Sequence, residues 1–461
     1  MNYELSISGL HYKQLKTHLF PGDGKEAVAV AICGGHSGNG YSKLLVHQLL
    51  LIPYKDCEIR KPDLVQWSTA LLNPILETAS KKNMSVVKFH SHPTGYPEFS
   101  RTDDISDTNL FSSIFGWIDD IDVHGSIVML PEGEMFGRII HPNLKFTEMT
   151  KISVAGDDIK IWHNELSKTS LSEFSLRTKQ TFGEGTTALL RKMKVGVVGC
   201  SGTGSPTIEQ LVRLGVGKIV LIDPDIVEEK NLNRILNTKM KDARQKQLKV
   251  DVLQRAISEI GLGTEIESYS KNIFESLDAI NSLISCDVIF GCVDSVDGRH
   301  LLNQISTFYL IPYFDIGVKV IADGSGGVNQ ICGNIHYIQP GGSSLKSRNL
   351  YTGEELRSAG LQRTNIKAYN EEKEAGYIVN AQVNSPAVIS LNMFASSIAV
   401  NEFLARIHPY RNDDNESSAI VRFSLSDSYM QREVDGNPDS YLQKFIGRGN
   451  IKPLLNMPEL S

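Results

Sequence analysis

The chain has 461 residues, too many for one comfortable core, so two or three domains are expected. Hydrophobic residues make up 41% and charged residues 22%, the balance of a soluble globular protein, and a net charge of -6 gives no general attraction to nucleic acid. No apolar run approaches the roughly 18 residues of a membrane span, and Met1 to Leu10 lacks a basic region followed by an apolar stretch, so neither a membrane anchor nor a signal peptide is expected.

Two blocks with different grammar follow. A helix is predicted near Tyr12 to Phe20, then a turn at Pro21-Gly22-Asp23-Gly24. Glu26 to Gly34 and Ser42 to Ile52 read as strands separated by a glycine-rich loop, His36 to Gly40. Asp63 to Lys81 reads as helix, with Leu64, Trp67, Leu71, Leu72, Ile75 and Leu76 near helical spacing. Ser85 to His90 is a short buried strand. Asp103 or Asp104 opens a helix to about Trp117, and strands near Ser126 to Leu130 and Glu134 to Ile140 close the block. A polar stretch from Asn143 to Ser170 reads as connection, with a domain boundary at residue 150. The second block, 151–461, runs strand Lys194 to Gly199, helix Gly202 to Leu214, strand Lys218 to Asp223, helix Lys246 to Ile260 and strand Asp287 to Cys292. This alternation predicts a parallel sheet with helices on both faces. Ser385 to Leu404 reads as one further long helix. The six cysteines (Cys33, Cys57, Cys200, Cys286, Cys292, Cys332) form no Cys-x-x-Cys pair and mostly sit in strand-like runs, which predicts a cytoplasmic protein without structural disulfides.

The first block carries His90-Ser91-His92-Pro93, Ser100 and Asp103. Histidines two apart on a strand project to the same face, so both reach one metal ion; Asp103 offers a third ligand and leaves a fourth position for water. His-x-His alone is better explained by unrelated loop histidines and a helix-capping aspartate. The full spacing, His-x-His-x7-Ser-x2-Asp, resembles the JAMM signature of JAB/MPN metalloproteases at His90, His92, Ser100 and Asp103. The resemblance covers residues 1 to about 140 and implies an α+β zinc isopeptidase domain. It further implies Glu26 as general base and Ser100 as a holder of the oxyanion. Asp104 is expected to cap the helix or lie on the surface.

In the second block, Val195 to Gly204 is a buried strand running into a glycine turn and a helix, a natural phosphate site. The glycines read Gly-x-x-Gly-x-Gly (Gly199, Gly202, Gly204) rather than the dinucleotide fingerprint Gly-x-Gly-x-x-Gly. Asp223 ends the next strand, where a carboxylate meets ribose hydroxyls. Asn231, Asn233, Arg234 and Lys249 follow, with cations better suited to a triphosphate than to nicotinamide. Asp294, in Cys292-Val293-Asp294-Ser295, ends a further strand where a carboxylate suits Mg²⁺.

These segments resemble the ThiF/MoeB/HesA adenylyltransferases and ubiquitin-activating enzymes from about residue 170 to at least 405. The resemblance implies a Rossmann-like, doubly wound domain that binds ATP and Mg²⁺. Asp223 would meet the ribose, Arg234 and Lys249 (with Lys246 competing) the phosphates, and Asp294 the metal, with Arg299 lying downstream of that motif. Arg177, in the lead-in to Gly185, matches an arginine that reaches the partner subunit's nucleotide, and because relatives dimerise through this domain a homodimer is expected. The chemistry implied is adenylation of the C-terminal carboxylate of a ubiquitin-like or sulfur-carrier protein, with a conjugating or acceptor protein downstream. Two features depart from the family. Where a zinc-binding Cys-x-x-Cys is expected the chain reads Pro340-Gly341-Gly342-Ser343-Ser344, and no cysteine follows Cys332, so handover of the acyl-adenylate to another protein is expected rather than a thioester on an upstream cysteine, of which Cys332 is the nearest. No structural zinc is therefore expected in this domain. Two other readings stand beside the bifunctional one: an NAD(P)-dependent oxidoreductase with an N-terminal binding module, and a scaffold with inactive sites.

Overall fold

The computed structural model describes residues 1–38, 40–118, 120–164, 173–323, 325–375 and 388–460. It divides into two compact units, the first Met1–Lys168 with Thr307–Leu310 and Tyr441–Ser461, the second Thr169–Ser306 with Ile311–Ser440. No helix among the described residues is long and apolar enough to cross a membrane.

In the first unit the elements run β1 (Asn2–Ser8), α1 (Gly9–Leu19), β2 (Val28–Gly38), β3 (Tyr41–Leu51), β4 (Cys57–Lys61), β5 (Leu64–Trp67), α2 (Asn73–Lys82), β6 (Ser85–Ser91), α3 (Arg101–Trp117), β7 (His124–Met129), β8 (Met135–Ile140), β9 (Phe146–Glu148), β10 (Lys151–Ala155) and β11 (Ile159–His163). Nine strands form one mixed sheet in the order β11-β10-β1-β3-β2-β6-β7-β8-β9, and β4-β5 is a separate hairpin. Alternation along the central strands serves both faces. Ala29, Ala31, Val87 and Phe89 pack with Tyr12, Leu15 and Leu19 of α1, while Val30, Ile32 and Val86 pack with Ile75, Leu76, Leu110, Phe111 and Ile114 of α2 and α3.

Four expectations are corrected here. The helix expected over Asp63 to Lys81 is a strand β5 and then α2, because Pro74 has no N–H to donate and fits only a helix's first turn. The loop expected at His36 to Gly40 is largely strand, since the β2–β3 ladder continues to Gly38↔Tyr41. The connection expected over Asn143 to Ser170 contains β9, β10 and β11; its residues 165–170 lie outside the described set. The boundary at residue 150 would split one sheet, because β10 pairs in parallel with β1 and the buried Lys151 ion-pairs with Glu4 at 2.9 Å. The expected 151–461 domain also loses its C-terminal segment to the first unit. There Gly449 bridges to Gly35, and the Asn450 side chain bonds His36 at 2.9 Å. A Cβ on Gly34 would collide with the carbonyls of Gly447 and Arg448, which explains glycine within a strand at this point.

The second unit runs α4 (Leu176–Lys192), β12 (Lys194–Val198), α5 (Gly204–Arg213), β13 (Lys218–Ile222), α6 (Met240–Arg244), α7 (Lys249–Ile260), β14 (Glu265–Tyr269), α8 (Leu277–Ile284), β15 (Val288–Gly291), α9 (Val296–Tyr309), β16 (Tyr313–Ala322), β17 (Val328–Ile338), α10 (Gly353–Thr364), α11 (Ile366–Glu374), α12 (Ile389–Ile407), β18 (Ile420–Ser424) and β19 (Tyr429–Glu433). Residues 385–387, expected to open the last long helix, lie outside the described set. The sheet order is β14-β13-β12-β15-β16-β17-β18-β19. The first five strands are mutually parallel and the last three extend the sheet antiparallel. After β14 the chain returns to the other side of β12, so the order reverses there. Ligands of such sheets bind at the carboxyl ends of the strands flanking that reversal.

The Pro340 to Ser344 segment is held by hydrogen bonds and ion pairs. Arg348 donates to Ser343 Oγ at 2.7 Å and to Asp435 at 2.9 Å, and Ser344 donates to Asp439 at 2.5 Å. The Arg348 side chain is only 4% exposed. Removing one partner of a buried pair strands the other, at about 3–5 kcal/mol. Arg348→Ala is expected to lower the unfolding free energy of the second unit by that amount, read as a fall in its urea midpoint. Lys367→Ala, which breaks only an exposed pair with Glu371, should leave the midpoint unchanged.

Candidate functional site

The first unit brings His90, His92 and Asp103 together. His90 lies near the end of β6 on the side of the sheet that faces α3, His92 directly follows the strand, and Asp103 lies in the first turn of α3. His90 Nε2 is 3.2 Å from His92 Nε2 and 2.9 Å from Asp103 Oδ1, and His92 Nε2 is 3.4 Å from Asp103 Oδ2. All three residues are buried. His92 Nδ1 faces the Tyr96 carbonyl at 2.8 Å, which can only accept, so that nitrogen carries the proton in the neutral ring and the Nε2 lone pair points inward. A lone pair and a carboxylate thus converge on one point beside a second imidazole, and the donor set fits a divalent cation such as zinc.

The electrostatics agree with that donor set. Burial opposes ionisation of Asp103, but hydrogen bonds from His90, His92 and Ser100 outweigh it and hold the carboxyl well below its usual range. For His90 burial prevails and its proton affinity falls. For His92 burial is overcome by Asp103 and the Tyr96 carbonyl, and its affinity rises.

Ser100 is the N-cap of α3 and forms a capping box with Asp103. Its N–H and its Oγ–H both donate to Asp103 Oδ2 at 2.7 Å, and Asp103 N–H donates back to Ser100 Oγ at 3.2 Å. The helix therefore opens at Arg101, and Asp103 rather than Asp104 makes the cap; Asp104 pairs with Arg138. Glu26 lies two residues before β2, not on it. Continuing the register Val28↔His90 sets it opposite His92. Its main chain is held by Lys61 O and by Arg60 Nε, at 2.9 and 2.8 Å. The side chain is 6% exposed, and burial pushes its pKa up to about 7, with His92 opposing.

In the second unit the predicted residues gather at the strand ends beside the reversal. Gly199 directly follows β12 with a left-handed φ of 92°, and a Cβ there would strike the Cys292 carbonyl; one on Gly204 would strike Gly199 O. Asp223, after β13, accepts from Cys200 N–H at 2.7 Å and Asp225 N–H at 2.9 Å. Burial raises its pKa against the opposing pull of Lys249. Lys249 opens α7 with its side chain 6% exposed, 2.6 Å from Asp225 and 3.7 Å from Asp223. Lys246 is exposed, three residues outside the helix, so Lys249 is the lysine of this cluster.

The remaining predicted residues differ in how they are held. Arg234 is half-buried, donates to Lys230 O at 2.9 Å, and lies near Gly202. Asn231 is buried, its side chain capping the turn at Glu228, whereas Asn233 is exposed beside Arg234. Asp294 is exposed in the loop after β15. Arg299 pairs with the fully buried Asp315 at 3.2 Å. Arg177 is exposed on α4, donating to Gln180 at 3.1 Å.

Sequence reading missed the support from α12. Ser396 Oγ donates to Thr203 O at 2.7 Å, and the Asn392 side chain fills the space that a Cβ on Gly202 would take. The small residues of this helix were the available signal. Cys332 lies within β17, paired in register with Lys319 and Ser424, as its strand-like surroundings predicted.

A doubly wound sheet with a glycine turn, a buried acid and a helix-borne lysine at its reversal defines a Rossmann-like nucleotide-binding domain. Residues 175–430, more than half of the chain, match the ThiF family model, and the protein belongs to the ThiF family. It is 30% identical over 268 residues to ubiquitin-like modifier-activating enzyme 5 of Drosophila willistoni, covering 53% of this chain and 63% of that protein. Against the Drosophila virilis enzyme of the same name it is 26% identical, covering 55% and 64%. The chain thus spans somewhat under two thirds of the length of these relatives. Among solved structures, E. coli MccB with MccA-N7isoASN aligns over 59% of this chain and 74% of that one, at 16% identity and a TM-score of 0.44.

Equilibrium dialysis of the full chain against zinc is expected to load one ion at the histidine cluster, and His90→Ala or Asp103→Ala should lose it. Undiminished loading in both variants would remove the cluster as the site.

Proposed function

We propose that the chain is a bifunctional enzyme of ubiquitin-like or sulfur-carrier proteins, with a zinc-dependent JAB/MPN-type (iso)peptidase in its first unit and an ATP- and Mg²⁺-dependent adenylyltransferase in its second. The peptidase half rests on the convergence of His90, His92 and Asp103 beside a buried Glu26. When bound, a zinc ion supplies Lewis acidity toward water and the scissile carbonyl. Glu26, with a proton affinity near neutrality, takes a proton from the attacking water and delivers it to the leaving amine. The Ser100 hydroxyl proton is engaged by Asp103, so its role toward an oxyanion requires that bond to be exchanged. Meanwhile the serine fixes the Asp103 carboxylate.

The adenylation half rests on family membership and on the cluster at the sheet's reversal. A carboxylate oxygen of the substrate tail attacks the α-phosphorus of ATP, the bond to the bridging oxygen breaks, and pyrophosphate leaves. Such a reaction depends on positioning and charge neutralisation. Asp223 takes the ribose hydroxyls, and Arg234 and Lys249 take the phosphates. Lys249 must exchange its bond with Asp225 to do so. The exposed Asp294 carboxylate is a hard oxygen donor that fits Mg²⁺. Arg177 is assigned to the nucleotide of a second copy, which makes the working form a homodimer. The acyl-adenylate is assigned to another protein's nucleophile rather than to Cys332, which lies within β17. Membership in the ThiF family leaves the nicotinamide oxidoreductase reading without support.

Pyrophosphate exchange into ATP should require a ubiquitin-like protein with a free C-terminus and fall at least about 100-fold in Asp294→Ala. Exchange that persists without any such protein would sink this half. Cleavage of C-terminally extended forms should fall roughly 10² to 10⁴-fold in Glu26→Gln while exchange is retained. A variant that cleaves at the wild-type rate would remove Glu26 as the base.

A further inference from the structure

Beneath the cation cluster lies a second group of buried charges. Lys88 of β6, Asp107 of α3 and Arg138 of β8 are 4%, 0% and 5% exposed. The strand register aligns Lys88 with Ser126 and Ser126 with Arg138, so Lys88 and Arg138 stand in one row across three strands, on the face that carries His90 two residues further along. Asp107 meets that row from the helix. Arg138 donates to Asp107 Oδ2 through Nε at 3.1 Å and Nη2 at 2.8 Å, and to Asp104 Oδ1 through Nη1 at 2.5 Å. Lys88 pairs with the other oxygen of Asp107. The Arg138 guanidinium also lies 3.9 Å from the ring centres of both Phe99 and Phe146, and Phe99 immediately precedes the helix cap Ser100.

Asp107 is one turn beyond Asp103 on the same side of α3. The other buried residues of this helix, Leu110, Phe111 and Ile114, are apolar, and such contact is non-directional. It would let the helix slide along the sheet. A guanidinium fork on a carboxylate fixes direction as well as distance. Apolar side chains of similar volume would stabilise this interface as well or better. The network stands at the end of the helix that carries Asp103.

We propose that Arg138, through Asp107 and Asp104, is a positioning residue for the cation site, holding α3 where the Asp103 carboxylate meets His90 and His92. This rests on the zinc reading of that cluster. Arg138 touches neither the three ligands' donor atoms nor any substrate.

The test compares wild-type full chain with Arg138→Met, Arg138→Lys and Asp104→Asn. Zinc affinity is read by chelator competition, ligand geometry by the visible spectrum of the cobalt(II)-loaded protein, and folding by thermal melting in EDTA. Arg138→Met should weaken zinc binding roughly 10- to 100-fold and alter the cobalt spectrum. Arg138→Lys keeps the charge without the fork and should restore melting more fully than affinity. Asp104→Asn leaves the Asp107 bonds intact and should show a smaller loss of affinity. It decides the matter if Arg138→Met does not fold: wild-type affinity and spectrum in that variant would overturn the proposal. Wild-type values in a folded Arg138→Met would also overturn it, as would melting and affinity that recover in equal proportion in Arg138→Lys. A wild-type protein that takes up no zinc would overturn the zinc reading itself, and this proposal with it.

Discussion

A carboxylate that accepts main-chain N–H bonds cannot swing away from them, and one such group anchors the site of each unit. Asp103 is tied to Ser100 N–H, and Asp223 to the N–H groups of Cys200 and Asp225. Both carboxylates are buried, where an unpaired charge is strongly disfavoured, so these bonds also make their burial tolerable. The remaining site geometry follows from the two anchors. The His92 lone pair finds its partner because α3 begins where Ser100 can cap it. The glycine turn after β12 keeps its tight path because Asp223 holds the first N–H beyond Gly199.

The sites were more legible in the sequence than the fold around them. His90, His92, Ser100 and Asp103 carry their relation in spacing alone, since strand alternation and one helical turn convert sequence distance into direction. The glycines at 199, 202 and 204 are legible for a similar reason: backbone approaches backbone there, and no side chain fits. The fold's errors lie where local pattern and tertiary pairing diverge. Leu64 to Leu76 matches a helical period because a hairpin strand and a helix, read as one, happen to align their apolar residues. Pro74 was the contrary signal. The strands β10 and β11 have short two-residue alternations; β10 became a strand by pairing with β1, a partner nearly 150 residues away, and β11 by pairing with β10. The return of residues 441–461 to the first unit has no local signature at all. It depends on Gly34 and Gly35 leaving room for the chain and on single bonds such as His47 to Ile446 O at 2.6 Å.

The ionic networks were illegible for a related reason. Lys88, Asp107 and Arg138 belong to three separate elements, and Arg348, Ser343 and Asp435 are likewise dispersed. Each residue alone reads as an ordinary surface charge, because burial is a property of the assembled sheet and helix. The Arg348 network occupies the segment in which a Cys-x-x-Cys pair was expected from resemblance. There, polar side chains tie the turn after β17 to the strand end at Asp435 by direct hydrogen bonds, so this turn is held without any thiolate.

On the proposed reading the two chemistries are complementary at one atom. Peptidase cleavage of an extended or conjugated tail leaves a C-terminal carboxylate, and that carboxylate is the nucleophile of adenylation. Cleavage is downhill in water, whereas forming the acyl-adenylate draws on ATP, so the pair moves a tail from a spent or immature form to an activated one. The same pairing would run in a futile circle if the peptidase removed the tail from its final acceptor as fast as activation attached it. The peptidase must therefore discriminate among the groups attached beyond the scissile bond. Discrimination of that kind is achieved by side chains around the cleft rather than by the ligands, which see only the carbonyl. Tyr96, Phe99 and Phe136 stand beside the histidines, with ring centres 6.1 to 6.4 Å from theirs. Phe99 is the one among them that packs against the Arg138 guanidinium, so the residue proposed to position Asp103 also holds a ring beside His90.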